Sequence, residues 1–367
     1  MPWKKHLNDV TPYKPGKPIE EVKRELGLED VIKLASNENP LGCSPGAIEA
    51  IKKAVPDINR YPDGGCHYLR QDLAAKLGLS PENFVFGNGS DEVIVLALHA
   101  AVDPGDEVIV ADPTFAVYSI ASKVKNAKVI KVPLKDFKYD LEAMAEAVTG
   151  RTKAVFIANP DNPTGSYANS GELDAFIEKM PKRVLVFLDE AYYEFARGGD
   201  YPESLKYIDR EDRTVVVART FSKAYGLAGL RIGYGVARPE IADFLNRVRE
   251  PFNVNSLAQV AAKAALDDED FVSRSRQLVD SEKEKIYKAL KDLGVEYIPS
   301  RTNFILINTG RDSSRIFEHV LSKGVIIREM SPWGLKGFIR MNIGLPEEND
   351  RFLQVFKEAL ASIPSEK

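Results

Sequence analysis

The sequence predicts an α/β fold: a large domain with a mostly parallel seven-stranded sheet covered by helices, and a smaller α+β domain formed by the N-terminal arm and the C-terminal part. Three observations predict it. Short apolar, β-branched runs alternate with helical patterns through the middle of the chain, as parallel strands joined by crossover helices do. Most of these runs are nearly all apolar rather than alternating, as strands covered on both faces are. The chain has 367 residues, which at ~150 residues per domain suggests two units.

The elements follow in order. Residues 1–43 form an arm with a Pro- and Gly-rich stretch at 13–18 and a strand at 31–35; too short to fold alone, it is expected to join the C-terminal unit. Residues 44–253 form the large domain. Ser44-Pro45 supplies an N-cap and a first-turn proline for a helix through Val55, and Ser90-Asp91-Glu92 opens a second helix to Val102. Strands are expected at 84–86, 107–111, 128–132, 154–158, 184–188, 214–218 and 231–236. After about Asn253 the texture changes to long helical sequence, 256–266 and the highly charged 268–293. Strands at 304–308, 325–328 and 338–343 and helices at 314–323 and 347–361 complete a small domain of residues 254–367.

Composition excludes several functions. With 44% hydrophobic and 28% charged residues the chain is globular, not disordered, collagen-like or coiled-coil. Fifty basic residues against 54 acidic ones leave a net charge of −4, so bulk charge courts no nucleic acid. Cys43 and Cys66 have no metal-ligand spacing; no metal is expected, and a reduced cytoplasmic setting is. The N-terminus lacks the apolar stretch of a secretory signal, and apolar runs such as 93–102 fall short of the ~20 residues that cross a bilayer, so no membrane role is expected.

The strongest chemical signal is Thr220-Phe221-Ser222-Lys223-Ala224-Tyr225-Gly226, followed by Arg231. A lysine leaving a strand between two hydroxyls can form an imine with an aldehyde, while Thr220, Ser222 and Arg231 can hold a phosphate monoester. Asn162, in Asn159-Pro160-Asp161-Asn162-Pro163-Thr164-Gly165, follows a strand, and ligands of α/β sheets bind at that carboxyl edge. The next strand runs into Asp189-Glu190-Ala191-Tyr192. An acid there is costly unless paired, and a pyridinium N–H suits it, since a carboxylate keeps that nitrogen protonated and the ring an electron sink. Gly87-Asn88-Gly89-Ser90-Asp91-Glu92 offers free backbone N–H groups and a helix dipole to a phosphate; it is neither a dinucleotide fingerprint nor a nucleoside-triphosphatase loop. Phe115 follows a strand and can stack on a flat heterocycle. Singly, these residues also read as an ordinary turn, a helix cap or a core phenylalanine; the constellation carries the argument.

Together these residues resemble the fold-type I enzymes that depend on pyridoxal 5'-phosphate, specifically the aminotransferases, over residues 13–340. Within that group the chain is similar to the histidinol-phosphate aminotransferase family through Pro12-Tyr13-Lys14-Pro15-Gly16-Lys17-Pro18, Lys33-Leu34-Ala35-Ser36-Asn37-Glu38-Asn39-Pro40 and Asn59-Arg60-Tyr61-Pro62-Asp63. The resemblance implies that Lys223 is the Schiff-base lysine, Asp189 the pyridinium partner, and Asn162 with Tyr192 the partners of the phenolic oxygen. It gives the cofactor phosphate to Gly89, Ser90, Asp91, Thr220, Ser222 and Arg231. It brings Tyr61 to that phosphate from a second subunit, hence a homodimer with shared active sites.

Arg328 and Arg340 sit in apolar strand sequence, where an arginine is seldom unpaired and suits a carboxylate, a phosphate or an internal salt bridge. By resemblance, Arg328, Arg340 and Tyr13 hold the phosphate of histidinol phosphate, Arg340 holds the α-carboxylate of glutamate, and Asn39 lies on the substrate side. The implied reaction converts L-histidinol phosphate and 2-oxoglutarate to imidazole acetol phosphate and glutamate, in L-histidine biosynthesis. A broad aromatic amino acid aminotransferase, a threonine-phosphate-type decarboxylase and a non-enzymatic cofactor-sensing regulator are the alternatives; the last would want a basic helix-turn-helix extension. Two positions depart from the family pattern: Asp161, commonly a second Asn and expected here to face solvent, and Cys43, commonly Pro, to which no functional weight attaches.

Overall fold

The computed structural model describes residues 2–365; Met1 of the expected arm 1–43 and Glu366 and Lys367 of the expected small domain 254–367 lie outside the described residues. The first strand, β1 (Ile32–Lys33), belongs to the arm. The next seven are β2 (Phe84–Gly87), β3 (Glu107–Asp112), β4 (Lys128–Pro133), β5 (Thr152–Ala158), β6 (Leu185–Asp189), β7 (Thr214–Thr220) and β8 (Gly233–Ala237). The C-terminal part contributes β9 (Glu296–Ile298), β10 (Phe304–Asn308), β11 (Val325–Ile326), β12 (Arg328–Glu329) and β13 (Phe338–Asn342).

The seven central strands form one sheet in the order β2-β8-β7-β6-β5-β3-β4. Successive residues go to opposite faces: Val186 and Leu188 join one buried cluster, and Leu185 and Phe187 the other. Both faces are covered over the central strands, so both residue sets of those strands are apolar, whereas the edge strand β4 leaves Lys128 and Lys131 exposed. All neighbours run parallel except β8, which is antiparallel to β7 and β2. The loop 221–232 returns the chain directly, without the crossover helix a parallel strand requires.

A four-stranded antiparallel sheet, β12-β13-β10-β9, organises the C-terminal part around a third cluster. The arm docks here: β1 pairs in parallel with β11, and Val22, Val31 and Ala35 pack with Ile326. The helix Ser256–Asp267, expected with the C-terminal unit, buries Ala258, Ala261, Ala262 and Ala265 in the cluster of the large sheet. That spacing is one helical stripe of small residues, suited to close approach to the helix Pro45–Ala54. The next helix, Glu269–Asp292, is capped by Asp268 and sends Val272, Val279, Ile286 and Leu290 into the C-terminal cluster.

Candidate active site

The carboxyl ends of β5, β6 and β7 and the turn after β2 converge on a cavity of about 210 Å³. Asn162, Asp189, Tyr192, Thr220, Ser222 and Lys223 line it, facing Ser90, Asp91, Phe115 and Arg231. Ten of the sequence-selected residues are thus brought together from five loops. This is the edge at which crossover topology leaves room for a ligand.

Lys223 sits on the turn leaving β7. Gly226 makes that turn possible: its φ is +72° and a Cβ there would lie 1.8 Å from the Gly42 carbonyl oxygen. Desolvation in the cavity, reinforced by the Arg340 cation, lowers the Lys223 ammonium to about 8, against the opposing pull of Asp91 and Glu38. An amine so tuned is available for nucleophilic and proton-transfer chemistry.

One end of the cavity is cationic and rich in donors. The helix Ser90–Ala101 opens there with Gly89 at its N-cap, φ +80°, where a Cβ would lie 2.6 Å from Arg231 Nη2. The Arg231 guanidinium pairs with Asp91 at 3.1 Å and donates to Ser222 Oγ at 3.4 Å. Thr220 Oγ1 donates to Ser222 Oγ at 3.0 Å and accepts from the Ser222 amide at 3.1 Å. Hydroxyls, a guanidinium and a helix N-terminus on one side fit a phosphate monoester.

Asp189 closes β6 and is 5% exposed. Tyr118 Oη donates to its Oδ2 at 2.7 Å and the Ala191 amide to its Oδ1 at 3.1 Å. Among the described residues no cation pairs with it, and burial pushes its carboxyl up to about 6. A protonated ring nitrogen would supply the missing charge. With Phe115 in the wall and the phosphate cradle at one end, the residues present fit pyridoxal 5'-phosphate. Tyr118 escaped the sequence reading, although it stands one helical turn from Phe115 and packs edge-on to it at 5.5 Å.

Asn162 and Tyr192 meet at 3.4 Å, Nδ2 donating to Oη. Asn37, also unforeseen, donates to the same phenol at 2.9 Å. Burial holds that phenol well above its ordinary pKa. Arg340 reaches the group from β13: Nη1 donates to Asn162 Oδ1 and Nη2 to the Ala35 carbonyl at 3.1 Å, while Nε has no partner among the described residues. Arg328 lies opposite Arg340 in the β12–β13 register. It donates to the Lys14 carbonyl and stacks 4.6 Å from the Trp333 ring centre. Tyr13 lines the adjoining crevice with Lys14 and Trp333, not the cavity itself.

Asn39 and Tyr61 also lie outside the cavity wall. Asn39 Nδ2 donates to the Ala224 carbonyl and Ser275 Oγ, both at 2.8 Å, and Oδ1 accepts from the Leu41 amide at 3.0 Å. Its amide group thus ties the lysine turn, through Ala224, to the helix Glu269–Asp292, through Ser275. Tyr61 is 83% exposed and stacked on Phe252 at 4.8 Å.

The expectation for Asp161 is overturned: it is 1% exposed, not solvent-facing. Thr114 Oγ1 donates to it at 2.9 Å, and Thr164 donates from Oγ1 at 2.8 Å and from its amide at 3.2 Å. These donors replace water around a short acid, so it is tolerated inside the loop, although burial still pushes its carboxyl up to about 6.

Comparison with known proteins places this geometry. The profile of the family "Aminotransferase class I and II" matches residues 29–356. Histidinol-phosphate aminotransferase of Moorella thermoacetica is 51% identical over 96% of this chain and 91% of its own. Histidinol-phosphate aminotransferase 2 of Carboxydothermus hydrogenoformans is 47% identical over 97% of this chain and 99% of its own. The crystal structure of histidinol-phosphate aminotransferase from Sinorhizobium meliloti in complex with pyridoxal-5'-phosphate superposes with a TM-score of 0.90 at 30% identity, covering 98% of both chains.

Proposed function

The chain belongs to the class I and II aminotransferase family, and on that premise we propose that it converts L-histidinol phosphate and 2-oxoglutarate to imidazole acetol phosphate and glutamate, in L-histidine biosynthesis. It is an aminotransferase that uses pyridoxal 5'-phosphate. The observation that carries the reading is the convergence of Lys223, Asp189 and Arg231 on one cavity in a chain similar over nearly its whole length to enzymes of that name.

When bound, the cofactor supplies an electron sink for the electrons of the substrate Cα–H bond. Lys223 Nζ takes the Cα proton. Its lowered pKa makes the neutral amine accessible near neutral pH. Asp189 accepts from the ring N–H and gains there the cation it lacks. Ser90, Thr220, Ser222 and Arg231 hold the phosphate, with Asp91 fixing Arg231 and Gly89 leaving it room. Asn162 and Tyr192 donate to the phenolic oxygen, and Phe115 covers a ring face. Arg340 receives the carboxylate of glutamate, or, with Arg328 and Tyr13, the phosphate of the other substrate. Asn39, whose bonds run to Ala224 and Ser275, serves by holding the Lys223 turn.

Tyr61, Tyr68 and Phe252 expose apolar surface, which supports a homodimer in which Tyr61 reaches the partner's cofactor phosphate. Among the described residues no helix is long and apolar enough to cross a membrane; a cytoplasmic setting is part of the proposal.

The test mixes the holoenzyme with histidinol phosphate or phenylalanine, without an oxo acid, and follows loss of the resting visible absorbance. Histidinol phosphate is expected to react at least about tenfold faster, because the buried Arg340 and the half-buried Arg328, left without the phosphate, penalise a substrate lacking it. Equal or faster reaction of phenylalanine overturns the substrate assignment in favour of a broad aromatic aminotransferase.

A further inference from the structure

A second cavity, of about 310 Å³, lies behind the lysine turn, walled by Tyr193, Glu194, Arg219, Tyr225 and Tyr234, with Arg197 at its mouth. Nothing in the transamination chemistry uses it. Its polar lining is unevenly satisfied. Arg219, 3% exposed, is committed: Nε donates to the buried Glu190 Oε2 at 2.9 Å, and the guanidinium lies 3.5 Å from the Tyr193 ring centre. Lys76 is committed as well, to Glu269 at 2.8 Å and the Leu266 carbonyl at 2.7 Å.

Glu194 is not committed. It is 5% exposed, yet among the described residues its carboxylate takes part in no ion pair and accepts no side-chain hydrogen bond. A buried acid in that condition is unfavourable unless something else supplies charge. Burial pushes it up to about 7, although the Arg219 and Arg197 cations, neither within ion-pair distance, and its own backbone amide oppose the rise. Arg197, exposed at the mouth, engages no acid through its guanidinium among the described residues. The same wall carries tyrosine rings, which attract cations, and the apolar side chains of Leu73, Leu266 and Val272.

We propose that this cavity binds a free α-amino acid with an apolar or aromatic side chain, its ammonium against Glu194, its carboxylate against Arg197, and its side chain among the tyrosines. The inference does not depend on which substrate the active site takes. An occupant would touch Arg219 and Tyr225, which flank Thr220 and Lys223 in sequence.

The test is calorimetric titration of the holoenzyme with L-leucine and L-phenylalanine, and with two truncated probes, 3-methylbutylamine and 4-methylpentanoate. Because either amino acid can also enter the active site, the informative signal is the part that depends on Glu194. E194Q and R197A are each expected to weaken it by about tenfold or more, and each truncated probe to bind at least about tenfold more weakly than L-leucine. Unchanged amino-acid binding in both variants overturns the proposal, as does the absence of Glu194-dependent binding up to about 10 mM. If the amine alone binds as well as L-leucine, the role of Arg197 is overturned. Should E194Q fail to fold, R197A, whose guanidinium carries no internal bond, decides the matter by itself.

Discussion

Lys223 and Asp161 show how burial sets the chemistry of single residues. Desolvation and the Arg340 cation hold Lys223 near 8. Reconstitution of the apoenzyme with pyridoxal 5'-phosphate needs the neutral amine, so its rate is expected to rise with pH and reach half its plateau near 8. In R340Q the opposing cation is gone and the midpoint moves upward; stopped-flow absorbance at a series of pH values reads it, and a downward shift contradicts the assignment. For Asp161 the folded-state value of about 6 lies above the ordinary 3.8. Its protonated form therefore favours folding below the lower value, and that contribution is lost as pH rises through about 6. Relative to D161N, the wild-type apoprotein should lose up to roughly 3 kcal/mol between about pH 4 and pH 7. Urea melts at several pH values measure the difference, and a pH-independent gap would show that the carboxyl does not titrate there.

At the scale of elements, legibility followed from whether an element's cause is local. Strands such as β5 and β6 were readable within a residue or two because burial on two faces writes an apolar run into adjacent positions. The direction of β8 was not readable, since the same run serves either orientation and only the missing crossover helix decides. The lysine turn and the turn after β2 carry their glycines and hydroxyls within a few residues, so their convergence on one cavity was legible. Asn37, Tyr118 and the setting of Asp161 were not: their partners lie 155, 71 and 47 residues away in sequence. The helix Ser256–Asp267 belongs with this group, because its alanine stripe states that it packs closely but not against what. We expect A261L, which forces a larger side chain against the helix Pro45–Ala54, to destabilise the protein by about 1–3 kcal/mol through overpacking. Thermal melts of the holoenzyme read this, and a neutral result would place that stripe outside the core.

At the scale of the whole molecule, the place of Tyr61 tests the proposed homodimer. Tyr61, selected from sequence for the cofactor phosphate, stands exposed and outside the cavity of its own chain. If it serves the partner's site, lesions on two different chains should complement. Take Y61A, which at limiting cofactor should lose most turnover, and K223A, which should lose at least about 10³-fold through the missing base. In a mixed dimer one site receives Lys223 from the first chain and Tyr61 from the second and is intact, while the other carries both lesions. Random assembly makes half the dimers mixed, with one good site in two, so co-refolding should restore about a quarter of wild-type activity. If Tyr61 instead acts within its own chain, every site in every dimer carries a lesion, and mixing restores nothing. Turnover at limiting pyridoxal 5'-phosphate, before and after co-refolding, separates the two.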